Sequence, residues 1–241
     1  RSITKKTKAI IAVHFCGRIC DIDKLKKISK KYQIKLIEDA SQAAGSEYLN
    51  RRAGFWSDLA AFSMNPMKPL GAFGEAGAVV LNSRKLKKKI ESLRYLGTKN
   101  IEICVDPDVN HKIDEIQSIW LLSRLSSLNK SLEKRRKQAS LIHERLNDEV
   151  REIGIEEPKR TTFFEFTLEC DSRDELQKFL TKNKIETKIK HPILMCDQPG
   201  YNLKEKYKVK NSRRLLKKIL SLPLHESLSI NQIDYMTKKI N

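Results

Sequence analysis

An acid and an amine stand at comparable places in two apolar runs. Asp39 ends Lys35-Leu36-Ile37-Glu38-Asp39. Lys68 follows Leu59-Ala60-Ala61-Phe62-Ser63 and sits within Asn65-Pro66-Met67-Lys68-Pro69-Leu70-Gly71. Each run has strand length and ends where a polar group can point into a cleft. In an open α/β sheet, ligands bind outside the carboxyl ends of the strands. An amine there can form a Schiff base with an aldehyde, and a carboxylate can hold the proton of a pyridinium nitrogen, so that the ring works as an electron sink. The pairing suits pyridoxal phosphate (PLP). Taken singly, each residue also fits an ordinary role. An Asp after a strand commonly caps a helix or shapes a turn, and a Lys among Pro and Gly is commonly solvated surface.

The flanking residues narrow the choice. Five blocks occur in order between Ile3 and Gln117: Thr7-Lys8-Ala9-Ile10-Ile11-Ala12-Val13-His14 followed by Gly17, then Ile37-Glu38-Asp39-Ala40-Ser41-Gln42-Ala43-Ala44-Gly45, then Ala61-Phe62-Ser63-Met64-Asn65-Pro66-Met67-Lys68, then Gly71-Ala72-Phe73-Gly74-Glu75-Ala76-Gly77-Ala78-Val79-Val80, and Asn110-His111-Lys112-Ile113-Asp114-Glu115-Ile116-Gln117. Together they resemble the DegT/DnrJ/StrS-type sugar aminotransferases, PLP enzymes of the aspartate aminotransferase fold. Three departures stand out. Asp108-Val109 replaces the usual Gly-Tyr, Lys112 replaces an Arg, and Met64 replaces an aromatic.

The resemblance implies roles. Asp39 would pair with the pyridinium nitrogen, and Gln42 would lie near the cofactor ring and its O3′. Ser63 would hydrogen-bond the phosphate. Lys68 would form the internal aldimine and then move the proton between substrate and cofactor carbons. Asn110 would reach the phosphate in the partner subunit's site, which makes the working unit a homodimer. Gln42 also fits a helix cap or a solvated face, Ser63 a strand-end hydroxyl bonding its own backbone, and Asn110 a turn before a helix. The implied reaction is transamination of a keto group on a nucleotide-linked sugar, with L-glutamate as the amino donor. Polysaccharide, glycan and antibiotic routes all remain open. A deoxysugar dehydratase of the same family would carry His where Lys68 stands. A truncated, binding-only homologue is the reading from a different class.

The elements that must position these residues follow from the apolar pattern. Strands are expected at Lys8–His14, Ile34–Glu38, Leu59–Ser63 and Ala78–Leu81. Helices are expected at Asp21–Tyr32, with Asp21 as N-cap, and at Arg84–Leu96. A long helical pattern covers Ile113–Val150, with a break near Ser126–Asn129. Its stripe Ile116, Ile119, Trp120, Leu122 and Leu125 reads as core. Beyond it come a strand at Thr161–Glu169, a helix at Ser172–Asn183, a strand at Ile185–Lys190 and helices at Ser212–Ile219 and Ile230–Ile240. Strands alternating with helices indicate an α/β sheet with covered faces. The resemblance makes this a PLP-transferase-like fold of type I. Residues 1–125 would be part of a three-layer large domain, and residues 126–241 a small α+β C-terminal domain with a bridging helix.

Net charge is +18 over 241 residues. The basic residues lie on the polar sides of helical patterns and no aromatic-and-basic motif accompanies them, so nucleic acid is not an expected partner. No apolar segment is long enough to imply a membrane span. The five cysteines, Cys16, Cys20, Cys104, Cys170 and Cys196, have no zinc spacing, and reduced cytosolic thiols are the simplest reading. His14, His191 and His225 are scattered, which favours structural roles. Family chains carry a sizeable stretch ahead of the first strand seen here, with a Gly-Thr/Ser turn that cups the phosphate and an aromatic that stacks on the ring. Neither motif occurs in these residues, so the 241-residue piece alone is expected to bind PLP weakly and to be inactive.

Overall fold

The computed structural model describes residues 2–153, 159–201 and 208–241. In chain order its strands and α-helices are β1 (Ala9–Val13), α1 (Ile22–Lys31), β2 (Lys35–Asp39), β3 (Glu47–Tyr48), β4 (Arg51–Arg52), β5 (Leu59–Ser63), β6 (Gly77–Leu81), α2 (Arg84–Arg94), β7 (Thr98–Lys99), β8 (Ile103–Cys104), α3 (Glu115–Arg145), β9 (Arg151–Ile153), β10 (Lys159–Arg160), β11 (Phe166–Glu169), α4 (Arg173–Lys182), α5 (Lys210–Leu216), β12 (Ile219–Leu222) and α6 (Ile230–Ile240). Two compact units result: Arg1–Leu132 with Glu157–Phe164, and Glu133–Glu156 with Glu165–Asn241.

The first unit is built on a sheet of order β1-β2-β5-β6. β1, β2 and β5 run parallel, and β6 closes the edge antiparallel. Alternation along the strands sorts residues onto two faces. Ala12 and Leu36 pack with Ile19, Ile22 and Tyr48 into a core under α1. Each such aliphatic side chain contributes about 1.5–3 kcal/mol when fully buried. The opposite face carries the register rows Ile11–Ile37–Leu59–Leu81 and Val13–Asp39–Ala61–Val79. It is bare at its β1 edge, where Ile11 is 65% and Val13 52% exposed. A second cluster joins Ala44, Leu70 and Ala72 to Leu121, Leu128 and Leu132 of α3.

The second unit centres on an antiparallel sheet of order β12-β11-β9. α4 packs against both β12 and α6. A full capping box starts α6: Ser229 Oγ accepts from Gln232 N–H, and Gln232 Oε1 accepts from Ser229 N–H.

Several expectations need correction. α3 runs unbroken through Ser126–Asn129, because Ser126 and Ser127 donate back to the carbonyls of Ser123 and Arg124 and stay helical. Its stripe Ile116, Ile119, Leu122 and Leu125 is solvent-facing here, with Ile116 74% and Leu122 68% exposed. The helix is apolar on two sides, and Leu121, Leu128 and Leu132 make the buried one. Asp21 precedes α1 without capping it; its carboxylate binds Lys24 and Lys159 instead. The strand expected from Thr161 begins only at Phe166, after a left-handed Phe163 (φ 46). The stretch Ile185–Lys190 forms a single bridge, Lys188 to Ser221; the helix expected at Ser212–Ile219 ends at Leu216, and Ile219–Leu222 is a strand.

Candidate active site

The parallel register places the candidate residues. His14 N–H donates to the Asp39 carbonyl at 3.1 Å, and Ala40 N–H to the Ala61 carbonyl at 2.9 Å, so β1, β2 and β5 end side by side. Asp39 pairs with Ala61, and Ser63 is two residues further along the same strand. Asp39 and Ser63 therefore project from the same face at the carboxyl end of the sheet. Asp39 Oδ1 accepts from Ser41 N–H at 3.1 Å; Oδ2 has no hydrogen bond among the described residues.

Gln42 lies in the turn after β2. Its Oε1 accepts from Cys16 N–H at 2.7 Å, which docks the left-handed Cys16 of the β1–α1 turn. That contact leaves the amide NH2 of Gln42 as a donor for something else. Gly17 beside it could carry no side chain. Its φ is +84°, and a Cβ would stand 1.9 Å from Thr162 Oγ1. Thr162 is fully buried and donates to the Gln42 carbonyl at 2.8 Å.

Lys68 stands in a turn closed by its own N–H to the Asn65 carbonyl at 2.9 Å. Ser63 Oγ accepts from Asn65 N–H at 3.4 Å, and Asn65 Oδ1 accepts from Met67 N–H at 2.9 Å. Gly71 follows where a Cβ would meet the Pro66 carbonyl at 2.6 Å. α3 braces this loop from outside. Gln117 Oε1 accepts from Phe73 and Gly74 N–H, Trp120 Nε1 donates to the Gly71 carbonyl at 3.0 Å, and Trp120 stacks on Phe73. Met64 packs against the cluster containing Leu70 and Leu121. The Lys68 Nζ lies 4.5 Å from the Phe164 ring centroid.

Asn110 stands apart from this group. It is exposed, bridges Tyr95 through its backbone, and accepts from Lys112 N–H at 3.0 Å through Oδ1. His14 is a buried core histidine bonded to Glu38, whereas His191 and His225 are exposed.

Three neighbours went unread in the sequence: Glu38, Thr162 and Phe164. Glu38 left a signal, since it alternates with the apolar Leu36 on a core-facing register and a buried acid must find donors. Thr162 and Phe164 left none, because they meet Gln42 and Lys68 across long stretches of chain.

The donor set fits a pyridine aldehyde with a phosphate tail. It offers an open carboxylate oxygen at Asp39, an amide NH2 at Gln42, a hydroxyl at Ser63 and a primary amine at Lys68. Among the described residues no group of three or more His, Cys, Asp or Glu is arranged to hold a metal ion, and no helix is long and apolar enough to cross a membrane.

The model of the DegT/DnrJ/EryC1/StrS aminotransferase family matches residues 1–241. The chain is 31% identical over 240 residues to the dTDP-3-amino-3,6-dideoxy-alpha-D-galactopyranose transaminase of Aneurinibacillus thermoaerophilus, covering 99% of this chain and 66% of that protein. It is also 31% identical, over 249 residues, to a protein of Geobacillus stearothermophilus named pleiotropic regulatory protein, again covering 99% of this chain and 66% of that one. The chain thus spans about two thirds of the length of the curated relatives it matches. Among solved structures, S. venezuelae DesV in complex with a ketimine intermediate superposes with a TM-score of 0.94 at 28% identity, covering 99% of this chain and 65% of that one.

Proposed function

Since the chain belongs to the DegT/DnrJ/EryC1/StrS aminotransferase family, we propose that it supplies the cofactor-binding and lysine-bearing part of a PLP-dependent enzyme that aminates a keto group on a nucleotide-linked sugar, with L-glutamate as donor. The fold reading that goes with it is type I, PLP-transferase-like, with a small C-terminal domain. A homodimer is the proposed working unit, with Asn110 serving the partner's site.

One observation carries the reading. Asp39 and Ser63 share a face on adjacent strand ends, one with an open carboxylate oxygen, and Lys68 follows in a braced turn. The solved relative with a ketimine and the relative named as a dTDP-sugar transaminase support the chemistry and the substrate class.

When bound, PLP supplies an electron sink that stabilises negative charge on the carbon being deprotonated. Asp39 holds the proton on the ring nitrogen, because an adjacent carboxylate favours the charged form of a cation. Gln42 donates its NH2 to the ring oxygen. Ser63 donates its hydroxyl to the phosphate. Lys68 would hold the cofactor through its primary amine, and its Nζ would accept and return the proton as general base and acid. The loop brace from Gln117 and Trp120 keeps Nζ within reach.

Borohydride reduction of the PLP-loaded protein followed by peptide mapping tests the reading. The label is expected on Lys68, and a label on any other lysine would sink the assignment.

A further inference from the structure

Glu38 lies next to Asp39 in β2 and faces the other way. Its side chain is fully buried on the α1 side of the sheet. Five donors converge on it. Oε2 receives His14 Nε2 at 2.9 Å and Gly54 N–H at 2.8 Å; Oε1 receives Trp56 N–H at 3.1 Å, Ser57 N–H at 3.1 Å and Ser57 Oγ at 2.8 Å. Burial works to raise the Glu38 pKa, yet the bonds from His14, Gly54 and Ser57 outweigh it and hold the carboxyl below its ordinary range. The group is ionised at neutral pH.

His14 Nδ1 accepts from Cys20 N–H at 3.4 Å, so the ring proton sits on Nε2, directed at Glu38. The same residue's backbone N–H holds the Asp39 carbonyl at 3.1 Å. His14 therefore grips β2 twice, through the Glu38 side chain and the Asp39 main chain. From the other flank, the loop carrying Gly54, Trp56 and Ser57 grips the same carboxylate and continues into Asp58, whose Oδ2 accepts from Leu36 N–H at 3.0 Å. A strand end held from both sides cannot rotate, and its outward residue inherits that fixed direction.

Resting on the function proposed above, we propose that Glu38 is a positioning residue for Asp39. Clamped by His14 and the Gly54–Ser57 loop, it fixes the aim of the Asp39 carboxylate and, through that aim alone, favours a protonated ring nitrogen.

The test uses the whole chain loaded with ring-nitrogen-labelled pyridoxal phosphate, with nitrogen NMR reporting protonation of the ring against pH and urea unfolding reporting stability. Glu38→Gln is expected to lower the midpoint of ring-nitrogen titration by about half a unit to one unit. In an Asp39→Asn background it should produce no further shift. Ser57→Ala removes one of the five donors and keeps the charge. It is expected to move the midpoint in the same direction by a smaller amount, and it decides the matter if Glu38→Gln does not fold. An unchanged midpoint in Glu38→Gln, or in Ser57→Ala where that variant decides, with Asp39→Asn shifted, overturns the positioning role. So does a Glu38→Gln shift that persists in the Asp39→Asn background. A wild-type chain that takes up no cofactor, or an Asp39→Asn variant with a normal midpoint, overturns the function proposed for the site and this inference with it.

Discussion

The Lys68 ammonium rests 4.5 Å from the centre of the Phe164 ring, a separation at which the negative face of the ring attracts a cation. Phe164 belongs to a segment that returns to the first unit at β10 and also places Thr162 on the Gln42 carbonyl. One short stretch thus touches two of the residues proposed to handle the cofactor.

Replacing Phe164 by Leu keeps the bulk and removes the ring. In the chain completed by the part of its relatives that it does not span, single-turnover amination should slow roughly two- to tenfold, the equivalent of about 0.4–1.4 kcal/mol. Phe164→Tyr retains the ring face and should stay near wild type. Equal rates for Leu and Phe would show that the ring has no part in holding Lys68.

Asp39→Asn keeps the shape of the site and removes its charge. In the chain completed by the part of its relatives that it does not span, PLP should still bind, since the other contacts are untouched, and turnover should fall on the order of a hundredfold or more. Stopped-flow rates with a keto-sugar nucleotide and glutamate measure it. Wild-type turnover in this variant would contradict the proposed role.

Glu152 in β9 sets a pH dependence in the second unit. Burial pushes its carboxyl up to about 8, and neither oxygen has a hydrogen bond among the described residues. His143 Nδ1 stands 3.2 Å away, but that ring is 60% exposed and water screens its charge, so desolvation governs. The raised value fixes the sign. Protonated Glu152 is tolerated in the folded state, so its contribution is fully present below the ordinary value of 4.5 and is lost as pH climbs to about 8. Glu152→Gln should remove that loss and stabilise the chain near the upper end by about 1–3 kcal/mol, with little change in acid. Urea unfolding across the range reads it; a parallel pH trend in both proteins would rule out Glu152 as the source.

Much of the sheet was legible because its strands announce themselves. Ala9–Val13, Lys35–Asp39 and Leu59–Ser63 are short apolar runs bounded by polar or turn residues, and each falls within a residue or two of its expected span. Strand-end position pointed to Asp39 and Lys68, whereas Ser63 came in only through the family resemblance. Other features were hidden for physical reasons. β12 follows α5 with apolar residues that continue the helical spacing, Leu215, Leu216, Ile219 and Leu220, and only pairing with β11 turns them into a strand. The two-sided apolar character of α3 gave two stripes, and sequence spacing could not say which one the core would take. The contacts of Phe164 and Thr162 depend on a left-handed Phe163, which no local propensity of phenylalanine would suggest.

The bracing of the Lys68 turn has a bearing on the order of assembly. Its supports, Gln117, Trp120 and Phe164, all follow it in the chain, the last of them far downstream. During synthesis β1, α1 and β2 can pair as soon as they emerge, whereas the surroundings of Lys68 must wait for α3 and then for the returning segment. Such closures depend on contacts of large sequence separation and form late, after the local ones. A nascent chain paused before Phe164 would hold a folded parallel core around an unfinished lysine loop.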